Sequence, residues 1–360
     1  MSENNDYSYL LDIIKLAESS EEKADSEKFN LKYHGNFSKN TSVSRVNQGL
    51  SYIFLKDSSY NTSIVSNETS VNKLISTHLN KPIDQVDFIL SHNEQPFFRL
   101  PDSGHWIVMQ NWSFGSIPIN WIESICDYVD QLWVSSSYEQ DCFIQNGIPK
   151  EKIRVINSGI DSLYFNYHIN PINVNTKKKK KFLFKGDLNW QSGFDILLKA
   201  YTDEFVNDED ICLIIVADAK NVSNEYNQKI KELTNLAYSP EILLIDWSDN
   251  EDAASLYKAC DFIVYPHRAE SYCLNLIESM ACGTPAIVTN YGAALDYCDI
   301  NNSILIKASK SYQSDKKIEN NETIDFPYWA DIDTIDLRVT LRKAYQIDQD
   351  IYDNLAKNAS

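Results

Sequence analysis

Short apolar segments recur between residues 86 and 289, and helix-like patterns lie between several of them. The runs are rich in Val, Ile, Leu and Phe, which is typical of strands that are buried on both faces. They cover residues 86–90, 106–109, 132–134, 153–156, 182–184, 211–216, 242–245, 262–265 and 286–289. Residues 194–205 instead repeat apolar side chains at the spacing of one helical face, and a second helix is predicted over 251–258. This alternation predicts parallel sheets covered by helices, in two doubly wound α/β domains.

A polar, lysine-rich segment marks the predicted boundary between the two domains. Residues 171–181 contain a proline and five consecutive lysines with few apolar side chains, which is typical of a linker. We therefore predict an acidic helical preface over 1–28, an N-terminal domain over 29–170 and a C-terminal domain over 182–360. The lysines at 177–181 are best interpreted as a solvent-exposed segment that leads into the first strand of the second domain. A membrane-surface or nuclear-import signal has the same composition and is the alternative.

Length, charge and cysteine usage narrow the class of protein. The 360 residues include 43% hydrophobic ones, enough for two cores, and no run reaches the roughly 18 apolar residues that cross a bilayer. The formal net charge of -18 argues against a nucleic-acid partner, which needs a basic surface. Seven separate cysteines show no metal-site spacing, so reduced thiols are expected. The N-terminus shows no secretory signal, and we expect a cytoplasmic protein.

Glu270 and Glu278 follow a predicted strand, with seven residues between them. The strand ends at Pro266 and a short helix begins near Cys273, so Glu270 is expected at the carboxyl edge of a sheet, where open α/β folds bind ligands. The backbone N–H groups of residues 271–274 could hold an anion such as a diphosphate. Glu278 could accept hydrogen bonds from a ribose diol. By itself, however, this spacing of two glutamates is more often explained by a solvated helix face.

The segment "DFIVYPHRAESYCLNLIESMACGTPAIVTNYGAALDY", residues 261–297, resembles the donor-site signature of glycosyltransferase family 4. Other stretches agree in order and spacing. "GNFSKNTSVSR" followed by "VNQGL" resembles the first loop and helix of the N-terminal domain, and "FLFKGDLNWQSGFDILLKAY" resembles the opening of the second domain. The resemblance covers about residues 29–345. It implies a retaining, nucleotide-sugar-dependent enzyme of the GT-B fold, in which two Rossmann-like domains face each other across a cleft.

The resemblance implies a role for each matching position of the C-terminal domain. Glu278 would hold the ribose hydroxyls, and Glu270 would contact the transferred sugar from the side opposite the leaving phosphate. Sugar hydroxyls and phosphate would be bound by the backbone of Ser271, Tyr272, Cys273 and Leu274.

Two positions of the N-terminal domain are also implied. His92, in "SHNEQP", falls where the family often places a cleft histidine that touches the sugar or the acceptor, and a structural histidine fits as well. Gly35, in "HGNFS", would let the first loop approach the phosphates, or it is a plain turn glycine.

The positions that the family uses to neutralise the diphosphate differ here. An arginine usually follows the glycine of the opening strand, here Gly186, and a lysine usually precedes the glycine that starts the next helix. This chain has Asp187 and Ser192 at those positions, which removes much of the electrostatic help for a departing diphosphate. Lys185 and Arg268 lie close in sequence and are the candidates to substitute as donor-binding cations.

The predicted function is transfer of a hexose or N-acetylhexosamine from a UDP-sugar or GDP-sugar to a glycan, glycolipid or protein acceptor. The resemblance implies that no protein nucleophile acts, because the leaving phosphate takes the acceptor's proton. We also expect no metal ion, and no cofactor since the nucleotide sugar is a substrate. The "DID" at 331–333 has a metal-binding form but fits a helix cap better. The alternative is a catalytically silent homologue that binds an acceptor or acts as a partner subunit, motivated by Asp187 and Ser192. Peripheral contact with a membrane or a partner subunit stays open.

Overall fold

The structure is a computed structural model that describes residues 28–37, 41–68, 71–94, 96, 98, 100–218, 222–246 and 252–360. The described residues form two compact units. The first contains the chain up to Asn111, Ser116–Ser158 and Glu319–Ile324, and the second contains Trp112–Gly115, Gly159–Ile318 and Asp325–Ser360. The helical preface predicted over 1–28 lies, except for Lys28, outside the described residues.

The first unit is built on one parallel sheet. Its strands are β1 (Phe29–Gly35), β2 (Tyr60–Val65), β3 (Phe88–His92), β4 (His105–Met109), β5 (Gln131–Val134) and β6 (Ile153–Val155). They lie in the order β2-β1-β3-β4-β5-β6. The other elements described in this unit are α1 (Ser42–Lys56), α2 (Lys73–Ser76), α3 (Ile119–Asp127), α4 (Ser137–Gln145), the 3-10 turn Lys150–Lys152 and the short strand Asn321–Glu322.

The second unit contains a second parallel sheet. Its strands are β7 (Lys180–Lys185), β8 (Ile211–Ala217), β9 (Glu241–Asp246), β10 (Phe262–Tyr265), β11 (Ala286–Thr289) and β12 (Ser303–Ile306). They lie in the order β12-β11-β10-β7-β8-β9. The helices are α5 (Phe194–Glu204), α6 (Asn224–Thr234), α7 (Ala253–Lys258), α8 (Leu274–Ala281), α9 (Thr334–Tyr345) and α10 (Gln349–Ala359). A 3-10 turn at Ala293–Asp296, an antiparallel pair of Ser309–Tyr312 with Tyr328–Asp331, and the short strand Lys317–Ile318 complete its described elements.

Apolar residues cover both faces of the second sheet. Successive side chains of a strand point to opposite faces, and β7 shows this clearly. Phe182 and Phe184 belong to one apolar cluster with Leu337 of α9, whereas Leu183 belongs to another with Leu276 of α8. Because helices bury both faces, the strands read as continuous apolar runs rather than alternating ones. The predicted doubly wound arrangement is confirmed for this unit.

The chain passes from the first unit to the second between Ser158 and Gly159, before the predicted linker at 171–181. That segment lies inside the second unit. Val174 is buried in the same apolar cluster as α7, and the backbone N–H of Ile172 donates to the carbonyl of Ser255 at 3.2 Å. The linker prediction therefore differs from the structure, because a few apolar side chains and backbone hydrogen bonds are enough to pack a mainly polar segment.

Neighbouring acidic and carbonyl groups engage the lysine run. Lys179 Nζ lies 3.7 Å from an oxygen of Asp210, and Lys180 Nζ lies 3.3 Å from Asp261. Lys178 Nζ donates to the carbonyl of Glu209 at 2.7 Å. These contacts favour the interpretation of the run as an approach to β7.

All seven cysteines are free thiols, and all except Cys126 are buried, as the sequence predicts. Of the helices in the described part of the chain, none combines the length and the apolar character that crossing a bilayer requires.

Candidate functional site

The strand order of the second sheet reverses between β7 and β10. From this point the chain adds β8 and β9 on one side and β11 and β12 on the other. Open α/β sheets bind ligands at such a reversal, beyond the carboxyl ends of the two central strands. β7 ends at Lys185 and is followed by Gly186, while β10 is followed by the loop that carries Arg268 and Glu270. The structure thus brings these four predicted residues to one edge of the sheet, and a Cβ added at Gly186 would meet no atom of the described residues within 4 Å.

Glu278 is buried and paired with a lysine. Its Oε2 accepts a hydrogen bond from Tyr257 Oη at 2.8 Å and lies 3.8 Å from Lys185 Nζ. Lys185 Nζ in turn donates to Tyr257 Oη at 2.8 Å. The side chains of Lys185 and Glu278 are only 5% and 2% exposed. Lys185 is therefore engaged with Glu278, and Tyr257, on the apolar helix α7, is a site residue that sequence reasoning missed.

Glu270 is fixed by the backbone of its own loop. Its side chain is 29% exposed. Its Oε1 accepts hydrogen bonds from the N–H groups of Ser271 at 2.9 Å and Tyr272 at 3.1 Å. These two N–H groups are therefore engaged inside the loop, whereas the family resemblance assigns the backbone there to sugar hydroxyls and phosphate. The other carboxylate oxygen, Oε2, lies 3.5 Å from Nε2 of His267.

Helix α8 begins without a side-chain cap. Cys273 precedes it in a left-handed conformation with φ of 52°, which is uncommon for a residue other than glycine. The backbone N–H groups of Leu274 and Asn275 donate to no acceptor within the part of the chain that the structure describes. Such N–H groups lie at the positive end of the helix dipole and suit an anion. Of the predicted residues 271–274, Leu274 therefore has an N–H group that suits an anion, as has the next residue, Asn275.

His267, which follows the proline at the end of β10, is a second residue that sequence reasoning missed. Its ring stacks on Tyr265 with a centroid distance of 3.6 Å. Its Nδ1 is buried and has no hydrogen-bond partner among the described residues. Burial lowers the pKa of His267 to about 4, although the charge of Glu270 raises it. The imidazole is therefore neutral near pH 7 and supplies no positive charge to this edge.

Arg268 is anchored inside the unit. Its guanidinium donates two hydrogen bonds to the carboxylate of Asp195, at 2.7 and 2.9 Å, and a third to the carbonyl of Trp190. The planar guanidinium matches a carboxylate in this two-pronged geometry. Because Asp195 lies in the first turn of α5, Arg268 tethers the loop after β10 to that helix. Like Lys185, it is engaged by a carboxylate of the protein.

The turn before α5 is built for close packing. Ser192 is buried, its hydroxyl donates to the carbonyl of Asn189 at 2.9 Å, and its N–H donates to the Asn189 side chain at 2.8 Å. Gly193 has φ of 72°, and a Cβ there would lie 2.0 Å from the carbonyl oxygen of Pro266. Ser192 therefore orders the turn at the position where the family places a lysine.

Asp187 lies where the resemblance places an arginine. Burial raises the pKa of its carboxyl, and the negative charges of Glu270 and Asp218 raise it further. Three acidic groups thus follow β7, β8 and β10, and two of them, Asp218 and Glu270, repel the charge of Asp187.

The acidic residues elsewhere have structural partners. Asp333 of the "DID" segment caps α9, since its side chain accepts from the N–H of Ile335 at 2.7 Å, as the sequence predicts. Across the described ranges, no group of three or more His, Cys, Asp or Glu side chains is arranged to hold a metal ion.

Gly35 and His92 are register partners at the reversal of the first sheet, between β1 and β3. Asn47 of α1 fills the space beside them. Its Nδ2 donates to the carbonyl of His92 at 3.0 Å, and a Cβ at Gly35 would lie 2.6 Å from that nitrogen. His92 Nδ1 lies 2.6 Å from Asn47 Oδ1, and burial lowers the pKa of His92 to about 4. These contacts favour the structural interpretation of His92 and give Gly35 a packing reason.

Comparison with known proteins bears on the second unit above all. Residues 168–321 match the family described as glycosyl transferases group 1. An uncharacterised glycosyltransferase of Methanocaldococcus jannaschii is 25% identical over 175 residues, which is 46% of this chain and 43% of the relative. A D-inositol 3-phosphate glycosyltransferase of Catenulispora acidiphila is 25% identical over 177 residues, which is 45% of this chain and 41% of the relative. The matched part therefore spans less than half the length of either relative.

A solved structure resembles nearly the whole chain. HepE of Anabaena, in complex with UDP and glucose, has a TM-score of 0.62 at 13% identity and covers 92% of this chain and 93% of its own. This likeness confirms the predicted fold class, GT-B with two Rossmann-like α/β units. Residues 168–321, less than half of the chain, are similar to the glycosyl transferases group 1.

Proposed function

We propose that this protein moves a hexose or N-acetylhexosamine from a nucleotide diphosphate sugar to a glycan, lipid or protein acceptor, with retention of configuration. The observation that carries the proposal is that the Lys185–Glu278 pair and the loop of Glu270 follow the two central strands at the reversal of the second sheet, inside the matched residues 168–321. HepE, which shares the fold, was solved with UDP and glucose. This supports a uridine nucleotide as the first donor to test.

Each group at this edge has a place in the proposed reaction. Glu278 accepts hydrogen bonds from the ribose, and the N–H groups of Leu274 and Asn275 face the diphosphate. Glu270 contacts the sugar from the other side, with its carboxylate already held by two backbone N–H groups. The leaving phosphate takes the acceptor's proton on the same face of the sugar, so that no side chain acts as nucleophile. The protein supplies positioning and charge stabilisation.

Nucleotide binding and turnover test the proposal separately. Calorimetry with a panel of UDP-sugars and GDP-sugars should identify the donor, and the configuration of the product reports retention. Glu278→Ala should weaken nucleotide binding by about 1–3 kcal/mol, because a charged hydrogen-bond acceptor is lost. Glu270→Gln should still bind nucleotide but lose turnover, since the amide oxygen can accept the loop N–H groups without carrying charge.

Glu232→Gln, on the exposed surface of α6, removes a carboxylate far along the chain from these elements and should leave both properties unchanged. A wild-type protein that binds none of the nucleotides contradicts the proposal. So does a Glu270→Gln variant whose turnover equals that of the wild type.

We further propose that the transfer needs neither a metal ion nor a cofactor. The use of Asp333 as a helix cap supports this, because the "DID" segment then has a structural role. Exhaustive treatment with a chelator should leave turnover unchanged. A loss of turnover that added Mg²⁺ or Mn²⁺ restores would contradict metal independence.

One observation favours a second candidate, a catalytically silent homologue that binds an acceptor or a partner subunit. Lys185 and Arg268 are engaged by carboxylates, and Asp187 adds negative charge where the family has an arginine. The help available to a departing diphosphate is therefore reduced. Nucleotide binding without turnover of any donor would favour this candidate. Turnover that Glu270→Gln abolishes would exclude it.

A further inference from the structure

Three side chains from three elements form a buried bridge at the site edge. Lys185 ends β7, Tyr257 lies on α7 and Glu278 lies on α8. An ammonium group has donors only, so Tyr257 Oη accepts from Lys185 and directs its single proton to Glu278. The contact of Tyr257 Oη with Asn275 Oδ1, at 3.3 Å, is longer than the 2.8 Å bond to Glu278. The hydroxyl therefore connects the cation to the carboxylate in one defined direction.

Burial makes this bridge sensitive to the loss of any member. Burying an ammonium and a carboxylate away from water costs free energy, and only a close contact between the charges and well-made hydrogen bonds offset that cost. Lys185 Nζ and Glu278 Oε2 lie 3.8 Å apart, which is too long for a direct hydrogen bond. The Tyr257 hydroxyl completes the contact, and its ring also lies 4.7 Å from the ammonium. With all three groups present, the Glu278 carboxylate is held in one orientation.

The bridge is also tied to the strand end that opens the site. Asn275 Nδ2, in the first turn of α8, donates to the carbonyl of Lys185 at 3.2 Å. This hydrogen bond fixes the end of β7 against the start of the helix that carries Glu278. A subsite built on a strand and a helix is positioned more rigidly than one built on a loop.

We propose that Lys185 and Tyr257 are positioning residues of the ribose subsite, which orient the Glu278 carboxylate toward the ribose diol. The proposal rests on the function proposed above and deepens it. In this proposal Lys185 acts at the ribose end of the nucleotide, through Glu278, and does not neutralise the diphosphate. Neither residue needs to touch the ligand, because each acts through Glu278.

A pair of nucleotides separates a ribose role from a general one. Calorimetry would compare UDP with 2′,3′-dideoxy-UDP, which lacks the diol, on the full chain; GDP and its dideoxy analogue replace them if the wild type binds guanine. Tyr257→Phe removes only the hydroxyl and should weaken UDP binding roughly tenfold, while the dideoxy nucleotide changes little. Lys185→Met should show the same selective loss.

Tyr201→Phe is the matched control. It removes another buried tyrosine hydroxyl of the same unit, which donates to the carbonyl of Glu241 at 3.0 Å. This variant should lower the melting temperature but leave both affinities unchanged. The proposal is overturned if Tyr257→Phe behaves like this control, or if it weakens UDP and dideoxy-UDP equally.

The outcomes also separate this proposal from the function on which it rests. A wild-type protein that binds no nucleotide overturns both. A wild type that prefers UDP to the dideoxy nucleotide, with the same preference in Tyr257→Phe, overturns only the positioning role. A preference that disappears in Tyr257→Phe and persists in Tyr201→Phe supports it.

Discussion

Breaking the buried Lys185–Glu278 pair should cost the second unit several kcal/mol of stability. The two side chains are 5% and 2% exposed, and the charged atoms lie 3.8 Å apart. With an effective dielectric constant of about 20, Coulomb's law gives about 4 kcal/mol for two unit charges at that distance. Removal of one partner also leaves the other charge buried, for which losses of about 3–5 kcal/mol are typical. We therefore expect Lys185→Met and Glu278→Gln each to lower the free energy of unfolding by about 3 kcal/mol.

The double variant measures how much of this loss belongs to the pair. Lys185→Met combined with Glu278→Gln removes both charges, so its loss should be smaller than the sum of the single losses by about 2–3 kcal/mol. Hydrogen exchange of peptides that cover β7 and β8 reports the stability of the second unit apart from the first. Additive losses in this cycle would refute the reasoning.

A surface pair in the same unit provides the control for this cycle. Lys199 Nζ and Asp203 Oδ2 lie only 2.6 Å apart, but the side chains are 60% and 38% exposed. Water screens such a pair, so the cycle of Lys199→Met and Asp203→Asn should show a coupling below about 0.5 kcal/mol. If the coupling of the buried pair is no larger than this, burial is not what makes the Lys185–Glu278 contact strong.

Three further substitutions test the loop after β10. Gly193→Ala puts a Cβ 2.0 Å from the Pro266 carbonyl at φ of 72° and should cost at least about 2 kcal/mol in thermal unfolding; an unchanged melting temperature would contradict this packing. Burial lowers the pKa of His267 to about 4 in the folded protein, whereas its value in the unfolded chain is about 6.5. Between these two pH values the unfolded chain binds a proton that the folded protein does not. The contribution of His267 to the free energy of unfolding is therefore complete above about pH 6.5 and is lost as the pH falls toward 4. His267→Asn should flatten this slope in denaturation curves, and an identical slope would count against it. Arg268→Lys keeps the charge but loses the two-pronged contact with Asp195, so we expect a loss of about 1–2 kcal/mol in chemical denaturation, and equal stability would show that the contact is not needed.

The strands were predictable from the sequence where both faces of the sheet are buried. The predicted strands at 262–265 and 286–289 coincide with β10 and β11, all of whose residues are buried. Continuous apolar runs appear only when helices cover both faces. β1 and β2 were missed because their buried positions alternate with half-buried ones or include Thr62 and Ser63. A search for apolar runs does not detect strands of that kind.

The sequence predicts which loop or helix carries each glutamate of the candidate site, but not the distant residues that contact the site's cations. The sequence placed Glu270 in the loop and Glu278 in the following helix, because a strand end, a short loop and a helix start are encoded by neighbouring residues. The partner of Lys185, Tyr257, is 72 residues away along the chain, and Asp195 is 73 residues from Arg268. Only the sheet order brings these residues together, and no pattern within either segment indicates it.

The charges at this edge imply an unusual dependence of nucleotide binding on salt. Lys185 and Arg268 are satisfied by carboxylates, His267 is neutral, and Asp187 is acidic. A nucleotide bound here would be recognised by hydrogen bonds to the ribose and by the N–H groups at the start of α8, which salt screens less than exposed cations. Calorimetry across a range of ionic strength should therefore show only a small fall in affinity, and a steep fall would show that cations do reach the diphosphate. The salt dependence also separates the two candidate functions. An edge that holds the ribose without neutralising the diphosphate still binds the nucleotide but gives the leaving group less help, so a small fall in affinity favours the silent homologue and a steep fall favours the transferase.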